Sequence, residues 1–133
     1  MAACRRRRSG AYDRVMPIVT DVSNAEHHTW GEVCDAWRLL DREGLSVIEE
    51  RVPAGGKEEW HFHTRARQLF YVLDGSALMR TEQGDVRLDR GTSVEIEPGL
   101  VHQIINPGPG DVRFLVISAP NTRGDRTVVR DRV

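Results

Sequence analysis

From Leu45 onward the apolar residues come in short bursts, most of them closed by glycine, proline, asparagine or aspartate. The runs are Leu45 to Val52, Glu58 to His63, Gln68 to Leu73, Ala77 to Thr81, Val86 to Leu88, Ser93 to Ile96, His102 to Ile105 and Val112 to Ser118. Between them stand Pro53-Ala-Gly-Gly56, Asp74-Gly75, Gln83-Gly84-Asp85, Arg90-Gly91, Glu97-Pro98-Gly99 and Asn106 to Gly110. Side chains alternate along a strand, so Gln68, Phe70 and Val72 share one face and Leu69, Tyr71 and Leu73 the other. Short β-type runs punctuated at this rate predict an all-β sandwich or barrel. Helix is confined to a short N-terminal segment. There a capping-type Ser23 or Asn24 opens a polar stretch, Asn24 to Cys34, with room for a turn or two, and Trp37 to Leu40 begins the first core strand.

A chain of 133 residues suffices for one core and not for two conventional domains. Nineteen Lys and Arg against 20 Asp and Glu leave a net charge of -1, which gives nucleic acid or an anionic membrane no reason to bind. No stretch approaches the ~20 apolar residues of a membrane helix. The one basic run, Arg5 to Arg8, has no interleaved aromatic residue. It reads as part of a solvated, disordered tail over residues 1–15, with a single domain over residues 16–133 and Met16 as an alternative natural start. Cys4 and Cys34 are too few for a disulfide framework, and Ser9 to Arg14 supplies no apolar stretch of the kind a secretory signal needs. The expectation is a cytoplasmic protein.

Three histidines fall in the β-type runs. His61 and His63, one residue apart, project from the same face of a strand about 6–7 Å apart at the backbone, the spacing by which a strand offers two ligands to one metal. Gln68 opens the next run, and its amide oxygen can be a third ligand if it faces them across the pairing. His102, after Pro98-Gly99-Leu100-Val101, can be a fourth. Alone, each histidine is more readily explained by a hydrogen bond than by a metal, and Gln68 can instead bond a ligand or water. His27 and His28, being adjacent, cannot point the same way and read as surface residues.

These residues resemble the two motifs of the cupin superfamily. The first, G-x5-H-x-H-x4-E-x6-G, is matched by Gly55, His61, His63, Gln68 in the acidic position, and Gly75. The second, G-x5-P-x-G-x2-H-x3-N, is matched by Gly91, Gly99, His102 and Asn106, with Glu97 in the proline position and Pro98 one residue later. The resemblance implies a cupin jelly-roll β-barrel whose interior holds His61, His63, Gln68 and His102 around one divalent metal ion, Zn, Ni, Mn, Co or Fe. A small-molecule substrate or ligand is implied as the partner, and a homodimer formed through terminal strands such as Pro17-Ile-Val19 or Thr127-Val-Val129.

Most metal-binding cupins carry Glu where this chain has Gln68. Three neutral imidazoles and a neutral amide leave a divalent ion its whole charge, which strengthens polarisation of a bound carbonyl or water and weakens metal affinity. Oxygen-activating Fe(II) sites commonly include a carboxylate, so the set favours Lewis-acid chemistry, isomerase or lyase, on a small oxygenated substrate such as a sugar acid or hydroxy-ketone. The ligand set also resembles that of small cupins in pectin breakdown that act on unsaturated uronates. A metal-dependent dioxygenase and a non-catalytic binding or sensing module stay open. Glu49, Glu50, Glu59, Tyr71 and Arg80 are candidates for proton transfer that spacing alone does not position. Trp60, Phe62, Phe70 and Tyr71 read as packing residues, Arg123-Gly-Asp125 as a turn before the last strand, and Gly108-Pro-Gly110 as a loop.

Overall fold

The computed structural model describes residues 16–130, and the expected basic tail over residues 1–15 lies outside them. The strands in chain order are β1 (Glu26–Trp30), β2 (Cys34–Asp41), β3 (Ser46–Val52), β4 (His61–Phe62), β5 (Arg67–Asp74), β6 (Ala77–Thr81), β7 (Gly84–Leu88), β8 (Ser93–Ile96), β9 (His102–Ile105), β10 (Val112–Ala119) and β11 (Thr127–Val128). They form two antiparallel sheets, β1-β2-β3-β10-β5-β8 and β11-β4-β9-β6-β7. The core lies between them, as the all-β jelly-roll expectation requires.

Alternation builds that core. Along β10, Val112, Phe114, Val116 and Ser118 are buried. Pairing with β3 and β5 sets Glu50 and Val72 beside Phe114, Ile48 and Phe70 beside Val116, and Ser46 and Gln68 beside Ser118. The interior therefore changes from apolar to polar along the strand. At the apolar end Phe114, Val72, Val52 and Val112 pack with Met79 and Ile104 from the facing sheet. Gly75 turns the chain from β5 to β6 with φ 80°, and a Cβ there would stand 2.4 Å from the Asp111 carbonyl oxygen, so a side chain is excluded by both conformation and space.

The N-terminal segment departs from expectation. In place of a helix over Asn24 to Cys34 there is a single turn, closed by Asn24 and Ala25 N–H groups on the Asp21 carbonyl, and then the strand β1. Trp37 to Leu40 consequently lies in the second strand, β2, and not the first. A turn or two of isolated helix is costly to nucleate, whereas pairing with β2 satisfies the backbone of Glu26 to Trp30 and lets His28 and Trp30 face inward. His27 and His28 are exposed, as expected, and His27 Nε2 meets Asp35 Oδ1 at 2.8 Å. Of the aromatic residues, Phe70 is core, but Tyr71 is on the outer face and exposed, because alternation along β5 sends it away from the interior.

Candidate metal centre

β4 contributes His61, His63 follows it directly, and β9 contributes His102 in direct register with His61. Gly99 N–H donates to the His63 carbonyl at 2.7 Å, which ties the loop before β9 to the end of β4. The three residues are 2%, 5% and 0% exposed, and their ligand-capable atoms all lie within 4.8 Å of one another. Three imidazoles so arranged could hold a metal ion.

Their hydrogen bonds prepare them for it. His61 Nδ1 meets the Glu59 carbonyl oxygen at 2.8 Å, His63 Nδ1 that of Asp125 at 2.6 Å, and His102 Nδ1 that of Leu100 at 2.9 Å. A carbonyl oxygen only accepts, so each Nδ1 carries a proton and Nε2 is the nitrogen left to face an ion. Nε2 of His63 and of His102 is buried with no hydrogen-bond partner. Burial lowers the His61 imidazole to about 4, against the opposing effect of the Glu59 hydrogen bond. Burial, reinforced by the neighbouring His61, lowers His102 to about 4 as well. Both rings are thus neutral at neutral pH, the form that binds a cation.

Gln68 opens β5 and is 6% exposed. Its Nε2 donates to Ser118 Oγ at 3.1 Å, leaving Oε1 buried and without a partner. An orphaned buried polar atom is costly, and here three occur together on residues of electron-donating chemistry. A divalent cation among them would supply the missing partner to each, so the residues present fit such an ion.

His61, His63 and Gln68 line a cavity of about 540 Å³. Of the proton-transfer candidates, Glu50 and Glu59 line it, whereas Glu49 bonds Arg113 on the outer face, and Arg80 lies 5.2 Å from the Trp60 ring. Burial, then the charge of Glu58, holds the Glu50 carboxyl well above the usual range, against Arg38 and Arg126, and its Oε1 has no partner. Glu58 is likewise raised by burial, but its Oε1 accepts from Ile104 N–H at 3.2 Å. Sequence reasoning missed Glu58, Arg38 and Asp125. The last lies in the Arg123-Gly-Asp125 turn, where its carboxylate accepts from Thr64, Arg65 and Ala66 N–H groups at 2.8 to 3.2 Å. The alternation of β2 and β3 carries a signal for Arg38 and Glu50, readable only once their register is known.

Among the described residues no helix is long and apolar enough to cross a membrane. The sequence is 31% identical over 75 residues to the uncharacterized protein MJ1618 of Methanocaldococcus jannaschii, a match covering 56% of this chain and 60% of that protein, so the chain spans less than two thirds of its relative's length. The fold is similar to that of a sugar phosphate isomerase of the cupin superfamily from Silicibacter pomeroyi, with TM-score 0.68 at 19% identity over 78% of this chain and 76% of the other. It is similar also to KdgF from Halomonas sp., with TM-score 0.69 at 16% identity over 77% and 94%. The family model of the cupin domain, Cupin_2, matches residues 48–118, a span that takes in both histidine motifs and more than half of the chain, and the protein is therefore a member of the cupin family.

Proposed function

We propose that this cupin is a metal-dependent enzyme of the Lewis-acid type, an isomerase or lyase acting on a small oxygenated substrate such as a sugar acid. The ligands in this reading are His61, His63 and His102 through Nε2 and Gln68 through its amide oxygen. One observation carries it: the donor set brings no negative charge to an ion. The imidazole N–H groups are spent on backbone carbonyls, the Gln68 amide N–H on Ser118 Oγ, and the histidine cluster includes no carboxylate. A divalent ion held by such a set retains its full charge and supplies polarisation of a substrate oxygen.

The rest of the work belongs to the chain. The backbone carbonyls of Glu59, Leu100 and Asp125 hold the imidazoles in one tautomer and orientation. Glu50, its carboxyl raised well above the ordinary range, lies on the cavity wall as the acid that exchanges a proton with a bound substrate. The isomerase from Silicibacter pomeroyi indicates that this fold hosts such chemistry elsewhere. A cytoplasmic setting belongs to the same reading, in keeping with the buried free thiol of Cys34.

Metal analysis of protein purified without added metal, followed by a substrate screen with an oxygen electrode, tests the proposal. About one equivalent of divalent metal is expected, lost in the double variant His61→Ala/His63→Ala. Retention of the full equivalent by that variant would remove these histidines from the site. Gln68→Glu should bind the metal at least about tenfold more tightly, because it adds a negative charge to the donor set. Unchanged affinity would place the Gln68 oxygen out of the metal's reach. Oxygen uptake during turnover would replace the Lewis-acid reading with a dioxygenase, and binding without turnover would leave a sensing module.

A further inference from the structure

Arg38 is half-buried on β2 and lines the same cavity as His61, His63 and Gln68. Among the described residues it makes no hydrogen bond or ion pair. Other arginines of the barrel are taken: Arg51 by Asp35 and Asp111, Arg113 by Glu49, and Arg126, which also lines the cavity, by Glu59 at 3.4 Å. Glu26 stands directly opposite Arg38 on β1, exposed and without an ion pair to it, and the acid on the interior side is Glu50. Since Arg38 pairs with Ile48 and Ala36 with Glu50, the two charged residues are diagonal neighbours on the interior face, about 7–8 Å apart at the backbone and within mutual reach of long side chains. They form no ion pair. Glu50 keeps an unpartnered oxygen, and Arg38 keeps its five donors.

An arginine fork is matched in shape and charge to a carboxylate, and leaving it unpaired on the wall of a cavity also lined by His63 and Gln68, each with an orphaned donor atom, reserves it for a ligand. We propose that Arg38 anchors the carboxylate of the substrate, so that the cavity selects an anionic hydroxy acid over a neutral sugar or ketone. This rests on the reading of the cavity as a metal-dependent enzyme site. Glu50 forms no ion pair with the anchor, and burial, then Glu58, push its carboxyl up against the pull of Arg38 and Arg126. Lys57, also on the lining, is exposed, and Glu58 is held by Ile104 N–H. Arg38 is thus the half-buried cation on the wall without an ion pair, and its single charge suits a carboxylate better than the double charge of a phosphate.

Full-length protein, metal-free and loaded with cobalt, is titrated calorimetrically with D-galacturonate, D-galactose and D-galactose 6-phosphate. Galacturonate should bind about tenfold more tightly than galactose in both forms, the difference a charge-assisted bidentate contact supplies. Arg38→Gln should bring the two sugars to parity while cobalt stoichiometry stays at the wild-type value. Arg38→Lys, which keeps the charge and loses the fork, should retain part of the preference and carries the test if Arg38→Gln does not fold. An undiminished preference in either variant, parity in the wild-type protein, or tighter binding of the phosphate would overturn the anchor. Failure of cobalt to bind the wild-type protein would sink the metal reading instead, and the metal-free titrations would then decide on Arg38 by themselves.

Discussion

Glu50 is a costly residue for a fold to keep. It stands in an interior row with Ala36, Phe114 and Val72, where an apolar side chain would be cheaper, and one of its oxygens has no partner. Burial raises its carboxyl well above the ordinary 4.5, so the folded protein binds this proton more strongly than the unfolded chain does. The stability linked to the proton is full below about pH 4.5 and is lost as pH rises towards the raised value. Glu50→Gln removes that loss. Denaturant unfolding of the metal-free proteins at several pH values should show the variant gaining on wild type above about pH 4.5, by at most about 1.4 kcal/mol per pH unit. A constant difference across the range would mean that Glu50 ionises in the folded protein as freely as in water.

At the scale of elements, the centre depends on a loop that brings no ligand of its own. Asp125 stands just ahead of β11. Its carbonyl takes the His63 Nδ1 proton, and its carboxylate takes three backbone N–H groups of the loop between β4 and β5. Burial pushes this carboxyl up, but the Ala66, Arg65 and Thr64 N–H groups outweigh it and hold it below the usual range. Asp125→Ala should therefore cost about 2–4 kcal/mol in unfolding free energy and reduce metal content, although no ligand atom is removed. Full metal occupancy in a destabilised variant would show that the loop holds His63 without the clamp. The main strands were legible in the sequence because alternation and turn residues are local, and so were His61, His63 and His102, whose approach follows from strand geometry and the motif spacing. β1 was not, since Ser23 and Asn24 do resemble a helix cap and only pairing with the later β2 decides the matter. Glu50 was a candidate whose place only the register reveals, and Arg38 and Asp125 depend on register or on backbone groups, which no run of residue types displays.

At the scale of the whole molecule, the exposed edges remain to be accounted for. The expectation that Pro17-Ile-Val19 or Thr127-Val-Val129 is covered by a symmetric partner now divides. β11 pairs with β4, and Val128 and Val129 are half-buried against their own barrel, so the C-terminal piece has a place. Met16, Ile18 and Val19 are 81%, 81% and 86% exposed, just ahead of β1, an edge strand of the six-stranded sheet. Burying one such aliphatic side chain is worth about 1.5–3 kcal/mol, and a two-fold interface counts each residue twice. Ile18 and Val19 together then supply about 6–12 kcal/mol, within the range of the about 4–15 kcal/mol that association costs, so two copies pairing along β1 would hold with modest help from the edge hydrogen bonds. We propose this homodimer, with light scattering as its test. Full-length protein should give a mass near twice 15.1 kDa, removal of Met1 to Val15 should preserve the dimer, and Ile18→Asp should dissociate it by tenfold or more in about the micromolar range. A mass near 15.1 kDa for the full-length protein at those concentrations would sink the dimer, and dissociation only on removing Met1 to Val15 would move its interface to the segment before Met16.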